Sequence, residues 1–559
     1  MGDPYEIGTG RRRAFWADAA ADEIEARVVG ETTDGESERA LDEPIVIKGG
    51  VSPSGVPHLG HFNEIMRGYL VAEALRDRGH EVRQVFTTDD KDRLRKLPRK
   101  LADLEWNVVG LGEVDAGALG RNLGKPYTDV PDPFGCCDSY GAHFTELLRR
   151  SAEAIGVPIE IVSNTEQYAS GGFDDAIERV LKNRETARDV LGEFQEKVDD
   201  EYVPFFAQCS ECGHLTETIT GVDLDAETVQ YVCEDVPAGD ETIEGCGHEG
   251  TASFREGKLP WRFAWPAQWL TLGVDFEPFG KDHAEGSWPS GEAIAREVFG
   301  FEPPVPMVYE WFTLNGEALS SSAGNLITVE EVLELLETEV LRYFFTKNPQ
   351  KQRDFDVGSL DRLVDEFDRF EGIYFGDVEA DETETELAER AYPMVAPGEA
   401  GRDDRPIRIP YTFAAVLGMT DDRDLRVRMA RRSDHLPENA SESEIDAALE
   451  RVERARAWAV RTDNAFNYRL ADSLPDAEFD DATAAALDEL AEFIAAESPD
   501  EEALQEEIYE TARRNDVPVG DLFGAGYRLF LDEDEGPRLG PLLAAMEESF
   551  VLARLRRRR

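Results

Sequence analysis

The chain has 559 residues, 41% of them hydrophobic, enough to bury cores for about three or four domains. Asp and Glu outnumber Lys and Arg by 117 to 59, for a formal net charge of -58, and the excess is spread through segments that look folded, such as ATAAALDELAEFIAAESPDEEALQEEI. That pattern excludes a discrete acidic tail and points to high salt, where the Debye length falls to ~3 Å near molar ionic strength and self-repulsion is screened; it describes habitat and leaves nucleic-acid partners open.

Residues 12–29 carry an amphipathic helical pattern, and PIVIKGG (44–50) reads as a buried strand closed by two glycines. HFNEIMRGYLVAEALRDRG has apolar residues at helical spacing and ends on Gly79, and EVRQVFTTDD supplies a second strand. Strand, glycine-rich turn, helix, strand is a βαβ unit whose ligand edge lies at the turn. Residues 102–255 are expected to form a cysteine-bearing insertion. LPWRFAWPAQWLTLGVDFEPFGKDH and VPMVYEWFTLNG then return to strand-like segments. From about residue 350 the pattern is helical, interrupted by an acidic, proline-containing stretch over 377–409. The expected class is α/β: a parallel-sheet catalytic domain of Rossmann type in two halves (1–101 and 256–350), a zinc-bearing insertion (102–255) and an all-α C-terminal region (351–559). No apolar run approaches a membrane span, and MGDPYEIGTGRRR lacks the apolar stretch of a signal peptide, so a cytoplasmic protein without a membrane partner is expected; a monomer is a separate expectation that these features do not decide.

The turn GGVSPSGVPHLGHF (49–62) concentrates chemistry. A strand-to-helix turn presents backbone N–H groups at a helix N-terminus, which suits phosphate, and imidazoles three residues apart face one side of the first helical turn. His58 and His61 therefore suit a nucleotide, or else they are two ordinary half-buried histidines in a capping turn. Six cysteines follow, and QCSECGH, YVC and EGCGH offer Cys209, Cys212, Cys233 and Cys246 to tetrahedral zinc, although the insert EDVPAGDETIEG lengthens the second half and leaves His214 or His248 open as a substitute. Asp132, Cys136, Cys137 and His143 form a weaker second cluster, because adjacent cysteines reach one ion only from a bent backbone. Disulfides are not expected in the cytoplasm. Three basic islands stand in the acidic chain: RLRKLPRK (93–100), RVRMARR (426–432) and RLRRRR (554–559), of which the last reads as a solvated tail.

PSGVPHLGH resembles the HIGH signature of class I aminoacyl-tRNA synthetases, and GEALSSSAGN, Gly316 to Asn325, resembles the serine-rich KMSKS loop of class I lysyl-tRNA synthetases. TTDDKDRLRKLP, GKPYTDVPDPFGCCDSYGAHF, WPAQW and GVDFEPFGKDH resemble that family in the same order, so the likeness covers most of residues 12–375. It implies a two-step ligase using ATP with Mg²⁺, lysine and tRNA(Lys), carrying Zn²⁺, with a helical anticodon-binding region at the C-terminus. By the same resemblance His58 and His61 bind ATP, with Pro53, Ser54, Gly55, Gly60, Asp282, His283 and Asn325, while Ser320, Ser321 and Ser322 belong to the catalytic loop. The second metal cluster also falls where the family carries ligands, with Cys137 in place of a histidine. For lysine, Gly50, Ser52 and His283 are implied, and its ammonium needs an acidic or aromatic counterpart. Asp89 and Asp90, at the end of the second strand, fit, with Trp261, Trp265 and Trp269 as walls; a strand-end Asp also caps helices, and tryptophans four apart also form cores. Ala318 and Ala323 stand where the family offers lysines. The competing readings are another class I synthetase, such as a glutamyl enzyme, and a non-catalytic zinc RNA-binding protein on a synthetase fold.

Overall fold

The structure, a computed structural model, describes residues 5, 13–28, 43–195, 198–238, 241–319, 325–402 and 404–558. Its described part divides into two units: the first takes residues up to 331 with 342–356 and 382–395, and the second takes 332–341, 357–381 and 396 onward.

The first unit is built on a five-stranded sheet. Its strands are β1 (Ile45–Val51), β2 (Val82–Thr88), β3 (Glu160–Ser163), β4 (Phe276–Gly280) and β5 (Val305–Tyr309), in the order β5-β4-β1-β2-β3. Every pairing is parallel, with Val51 opposite Thr88 and Gly280 opposite Tyr309. Parallel strands need both faces covered, which explains why β1, β2 and β4 are buried along nearly their whole length, their polar residues included. The order turns outward from β1 in both directions, so the crevice at the C-terminal ends of β1 and β4 is the topological switch point where ligands bind in such sheets. Helix α1 (Trp16–Val28) and helix α2 (His61–Arg76) pack against one another, and α2 lies on the sheet. The buried Arg67 of α2 donates to the carbonyls of Phe345 and Lys347 (2.8 Å) and lies 5.1 Å over the Trp16 ring. That contact ties the helix after the histidine turn to the chain beyond the serine loop.

The 102–255 segment contributes β3 to this central sheet between its two groups of cysteines: Cys136 and Cys137 precede the strand, and the other four follow in a separate part. That part is a set of short antiparallel ribbons, among them Ile219–Asp223, Thr228–Val232 and Glu249–Ser253.

Two readings of element type are overturned. WRFAWPAQWLTL is not strand but helix α3 (Trp261–Leu272), opened by Pro260 and closed by Gly273 at φ +64. The aromatic content suggests β structure, yet Trp261, Trp265 and Trp269 recur every fourth residue, and burial of that one face decided the outcome. The stretch 377–409 likewise contains a helix, Glu382–Val395, which buries Ala388, Ala391 and Tyr392 and holds Asp18 of α1 through Arg390 at 2.9 Å.

Beyond residue 410 every described element of the second unit is a helix, from Tyr411–Leu417 to Glu548–Leu555, with an irregular stretch over 464–480. Part of the acidic excess is spent on helix starts: Asp422, Asp480 and Asp500 each accept a backbone N–H as N-cap, where a negative charge also meets the helix dipole. Arg451, buried, pairs with Glu337 and with Asp368 at 2.7 Å, and Glu371 holds Arg405 and Arg408 at 3.1 and 3.0 Å. The terminal RLRRRR is not simply a solvated tail. Arg554 is buried and donates to the carbonyls of Leu529 and Ala471 at 3.0 and 2.6 Å, and Arg557 pairs with Asp488 at 2.7 Å.

Among the described residues no helix is long and apolar enough to cross a membrane.

Candidate functional site

The turn after β1 runs from Ser52 to Gly60 and delivers both imidazoles to the switch point. The rings of His58 and His61 stack at 4.0 Å with 24° between their planes. Each Nδ1 accepts a backbone N–H, His61 from His58 and His58 from Gly60, both at 3.1 Å. Burial lowers both pKa values, His61 to about 4 and His58 well below the ordinary value, so both rings are neutral near pH 7. With Nδ1 occupied as an acceptor, the proton of each ring sits on Nε2, and the pair offers two N–H donors. Gly60 is required here, because a Cβ would lie 2.7 Å from the His58 ring.

Two cavities meet at this edge. One, of about 630 Å³, is lined by His58, His61, Glu64, Asp282, Tyr309 and Trp311. The other, of about 970 Å³, is lined by Gly50, Ser52, Asp89, Asp92 and Trp261, with basic residues beyond them. His283 lines both. The Glu64 carboxylate accepts from the Gly50 backbone N–H at 2.7 Å and from Tyr309 at 3.2 Å; burial, then the nearby Glu277, pushes its pKa up to about 8.

The two strand-end aspartates part company. Asp89 lines the larger cavity, accepts from Gln268 at 2.9 Å and from Asn164, and is pushed up to about 7 by burial. Asp90 faces β3 instead, accepting from Ser163 at 2.5 Å and from the Thr165 backbone N–H at 2.8 Å. It pins the end of that strand to the next helix and reaches neither cavity. Trp269 is also displaced from the role expected of it. It is 1% exposed, and its indole N–H, like that of Trp265, donates to Glu277, which pairs with the buried Lys48 at 2.7 Å. Of the three tryptophans, Trp261 lines the larger cavity, and Trp265 and Trp269 line neither of the two.

Ser54 and Gly55 line the larger cavity, whereas Pro53 is buried behind them. Asp282 accepts from the Trp311 indole at 3.4 Å. Asn325 lines neither cavity and donates to the Ala318 carbonyl at 2.9 Å. Ser320, Ser321 and Ser322, with Ala323, lie outside the described residues.

Both thiol clusters assemble. The Sγ atoms of Cys209, Cys212, Cys233 and Cys246 all lie within 4.8 Å of one another, with Cys209 and Cys246, and Cys212 and Cys233, at 3.6 Å. Tetrahedral zinc with Zn–S of ~2.3 Å requires S···S separations of roughly 3.8 Å, so the four thiols fit that ion. The long insert does not prevent this, since Val236–Ala238 and Glu241–Ile243 pair as a hairpin that carries the chain out and back. His214 and His248 are not part of the cluster. In the second cluster Asp132 gathers the backbone N–H groups of Phe134, Cys136 and Cys137 at 3.0, 2.7 and 2.7 Å, with Gly135 at φ +69. That is the bend which lets adjacent cysteines reach one point. His143 Nδ1 lies 3.3 Å from Cys136 Sγ and 3.4 Å from Asp132, while Nε2 meets the Ala102 carbonyl at 2.8 Å. A histidine whose far nitrogen is held by a carbonyl has its other nitrogen oriented for an ion.

Asp92, Glu64, Glu277 and Tyr309 escaped the sequence reading. Glu64 alone left a local signal, three residues after His61 on the first turn of α2.

A parallel sheet whose switch point carries two neutral imidazoles at a helix N-terminus defines a nucleotide-binding α/β enzyme of Rossmann type. The family model described as tRNA synthetases class I (K) matches residues 14–397, and the chain belongs to that family. It is 75% identical over 557 residues to the lysine–tRNA ligase of Natronomonas pharaonis, with all of both chains covered. The Haloarcula marismortui lysine–tRNA ligase is 67% identical, covering 99% of each, and that of Pyrococcus horikoshii 31% identical, covering 97% of this chain and 99% of its own. Among solved structures, a glutamate tRNA ligase from Elizabethkingia meningosepticum aligns over 92% of this chain and 99% of its own, at 12% identity and a TM-score of 0.43.

Proposed function

We propose that the protein is a lysine–tRNA ligase that joins lysine to ATP as lysyl-adenylate and passes the lysyl group to the terminal ribose of tRNA(Lys). The observation that carries the substrate is likeness over the whole chain to lysine–tRNA ligases from salt-loving archaea. In the first step a lysine carboxylate oxygen attacks the α-phosphorus and the bond to pyrophosphate breaks. In the second a ribose hydroxyl attacks the activated carbonyl and AMP leaves. Such chemistry asks the protein for positioning and for donors toward phosphate oxygens, and the Nε2–H groups of His58 and His61 supply them. ATP, used with Mg²⁺ as throughout the family, takes the smaller cavity beside His58, Gly60, His61 and Asp282. Lysine lies toward Gly50, Ser52 and Asp89, next to His283. Residues 1–101 and 256–350, completed by strand Glu160–Ser163, form the catalytic halves, the rest of 102–255 carries the zinc sites, and 351–559 reads the anticodon end of tRNA. Lysine-dependent ATP–pyrophosphate exchange in molar KCl, run with each amino acid with and without tRNA, tests the assignment; a preference for glutamate, or no exchange, overturns it.

Cys209, Cys212, Cys233 and Cys246 would hold zinc with four thiolates, and the ion would then supply folding energy and no catalytic chemistry. Elemental analysis of protein purified without chelator is expected to give about one to two zinc ions per chain. Cys209→Ser is expected to lower the melting temperature more than it changes kcat of the folded fraction. The serine loop makes a separate prediction. Losing a charged stabiliser costs roughly 3 kcal/mol of transition-state binding, so with alanines at 318 and 323 two routes are open: Mg²⁺ and a potassium-rich cytoplasm neutralise the phosphates, or Lys281, once released from its pair with Glu310, reaches them while Ser320, Ser321 and Ser322 supply hydroxyl and backbone donors. Replacing all three serines by alanine is expected to slow adenylation strongly with little change in lysine KM, and Ala318→Lys to leave it equal or faster.

A further inference from the structure

The three basic islands meet different fates in the fold. In the second, Arg426 pairs with Glu453 at 2.5 Å and its neighbour Arg423 with Glu442 and Asp446, both at 2.7 Å. In the third, Arg554 is buried on carbonyls and Arg557 is paired. The first island, RLRKLPRK, places five cations in eight residues with no acid among them. Arg93 is buried over Phe206 and paired with Glu217, and Leu94 is anchored by the Lys125 carbonyl at 2.8 Å. At the other end Leu101 is fully buried. Between these anchors Arg95, Lys96 and Arg99 are exposed and make no ion pair among the described residues, in a chain where acids outnumber bases by 117 to 59. All three line the larger cavity, with Leu97 and Pro98 between them, and Asp89, Trp261 and His283 line it too.

We propose that Arg95, Lys96 and Arg99 form a phosphate track for the single-stranded 3′ end of tRNA, leading its terminal ribose to the wall at His283 that the two cavities share. This rests on the reading of the protein as a lysine–tRNA ligase. A fixed row of cations along a groove with apolar surface between them matches an unpaired strand, whose phosphates repeat along the backbone and whose bases stay free to stack. High salt sharpens the argument. With a Debye length of ~3 Å near molar ionic strength, distant charges steer nothing, and only cations in direct contact with phosphate retain affinity. Three such cations kept unpaired on an acidic protein are therefore placed for contact.

The test is a cycle between enzyme and RNA. Binding of intact tRNA(Lys), and of the same RNA lacking its unpaired 3′ nucleotides, is measured across a KCl series for the parent protein and for the triple variant R95Q/K96Q/R99Q. The variant is expected to bind intact tRNA at least ~10-fold more weakly, with a log–log salt slope shallower by about 2, given ~0.7 per single-strand phosphate contact. Both proteins should bind the shortened RNA alike, and KM for lysine and ATP should not move. Arg99→Gln alone, at an exposed position, should repeat the pattern at smaller amplitude. Equal weakening toward both RNAs would place these cations on the duplex and overturn the proposal, as would unchanged binding or no tRNA binding by the parent. Failure of lysine-dependent pyrophosphate exchange in the parent instead overturns the ligase reading and is scored separately.

Discussion

His61→Ala is expected to slow lysine-dependent pyrophosphate exchange by about 10²–10³-fold, the usual loss when one donor to a developing phosphate charge is removed. The ring accepts the His58 N–H at Nδ1 and stacks on its partner at 4.0 Å, so its Nε2–H is held in one direction before ATP arrives. Donors fixed in advance cost no reorganisation during the reaction. Because burial holds the His61 pKa at about 4, the ring stays neutral across the working range, and its contribution should not titrate between pH 5 and 8. The expected signature is a fall in kcat with lysine KM little changed, and a flat pH profile of kcat at saturating lysine for the parent in that window. A midpoint near the ordinary histidine pKa of ~6.5, lost in the variant, would show that a charged imidazole does the work instead.

What the chain reveals of itself depends on how local each feature is. The histidine turn is legible because strand, glycines, imidazoles and helix follow within a few tens of residues, and the periods of both elements are clean. The four-cysteine cluster is legible because C-x₂-C is a motif whose spacing carries its own geometry. Helix Trp261–Leu272 reads as strand in the sequence because aromatic content and helical spacing point to different elements, and only the contact of Trp265 and Trp269 with the sheet settles which prevails. Glu277 could not be found at all. An acid in the middle of an apolar strand makes sense only with Lys48, 229 residues earlier, and two indoles aimed at it. The two aspartates are the intermediate case. Their place at a strand end is visible, but which one faces the cavity is set by Ser163 and Thr165 of a different strand and helix.

That difference yields the second large effect. Asp89→Asn is expected to cost lysine use about 2 kcal/mol or more, roughly thirtyfold in kcat/KM, as when a buried charge loses its partner. Asp90→Asn should instead lower stability through the loosened end of β3 and leave lysine KM near its parent value. The protonation state of Asp89 makes the assignment checkable. Burial raises its pKa to about 7, so between pH ~4 and 7 the folded protein holds a proton that the unfolded chain has lost. Stability therefore falls as pH rises through that window, and ionised Asp89 is a cost carried until a cation meets it. The ammonium of lysine is such a cation. Below pH 7 lysine binding should release a proton from Asp89, and lysine affinity should rise with pH up to about 7 and then level off. In Asp89→Asn both the proton release, read by calorimetry in buffers of different ionisation enthalpy, and the pH dependence of lysine affinity should vanish. A dependence that survives the substitution with its midpoint near 8 transfers the ammonium to Glu64, the other carboxyl at this edge whose pKa is raised, to about 8.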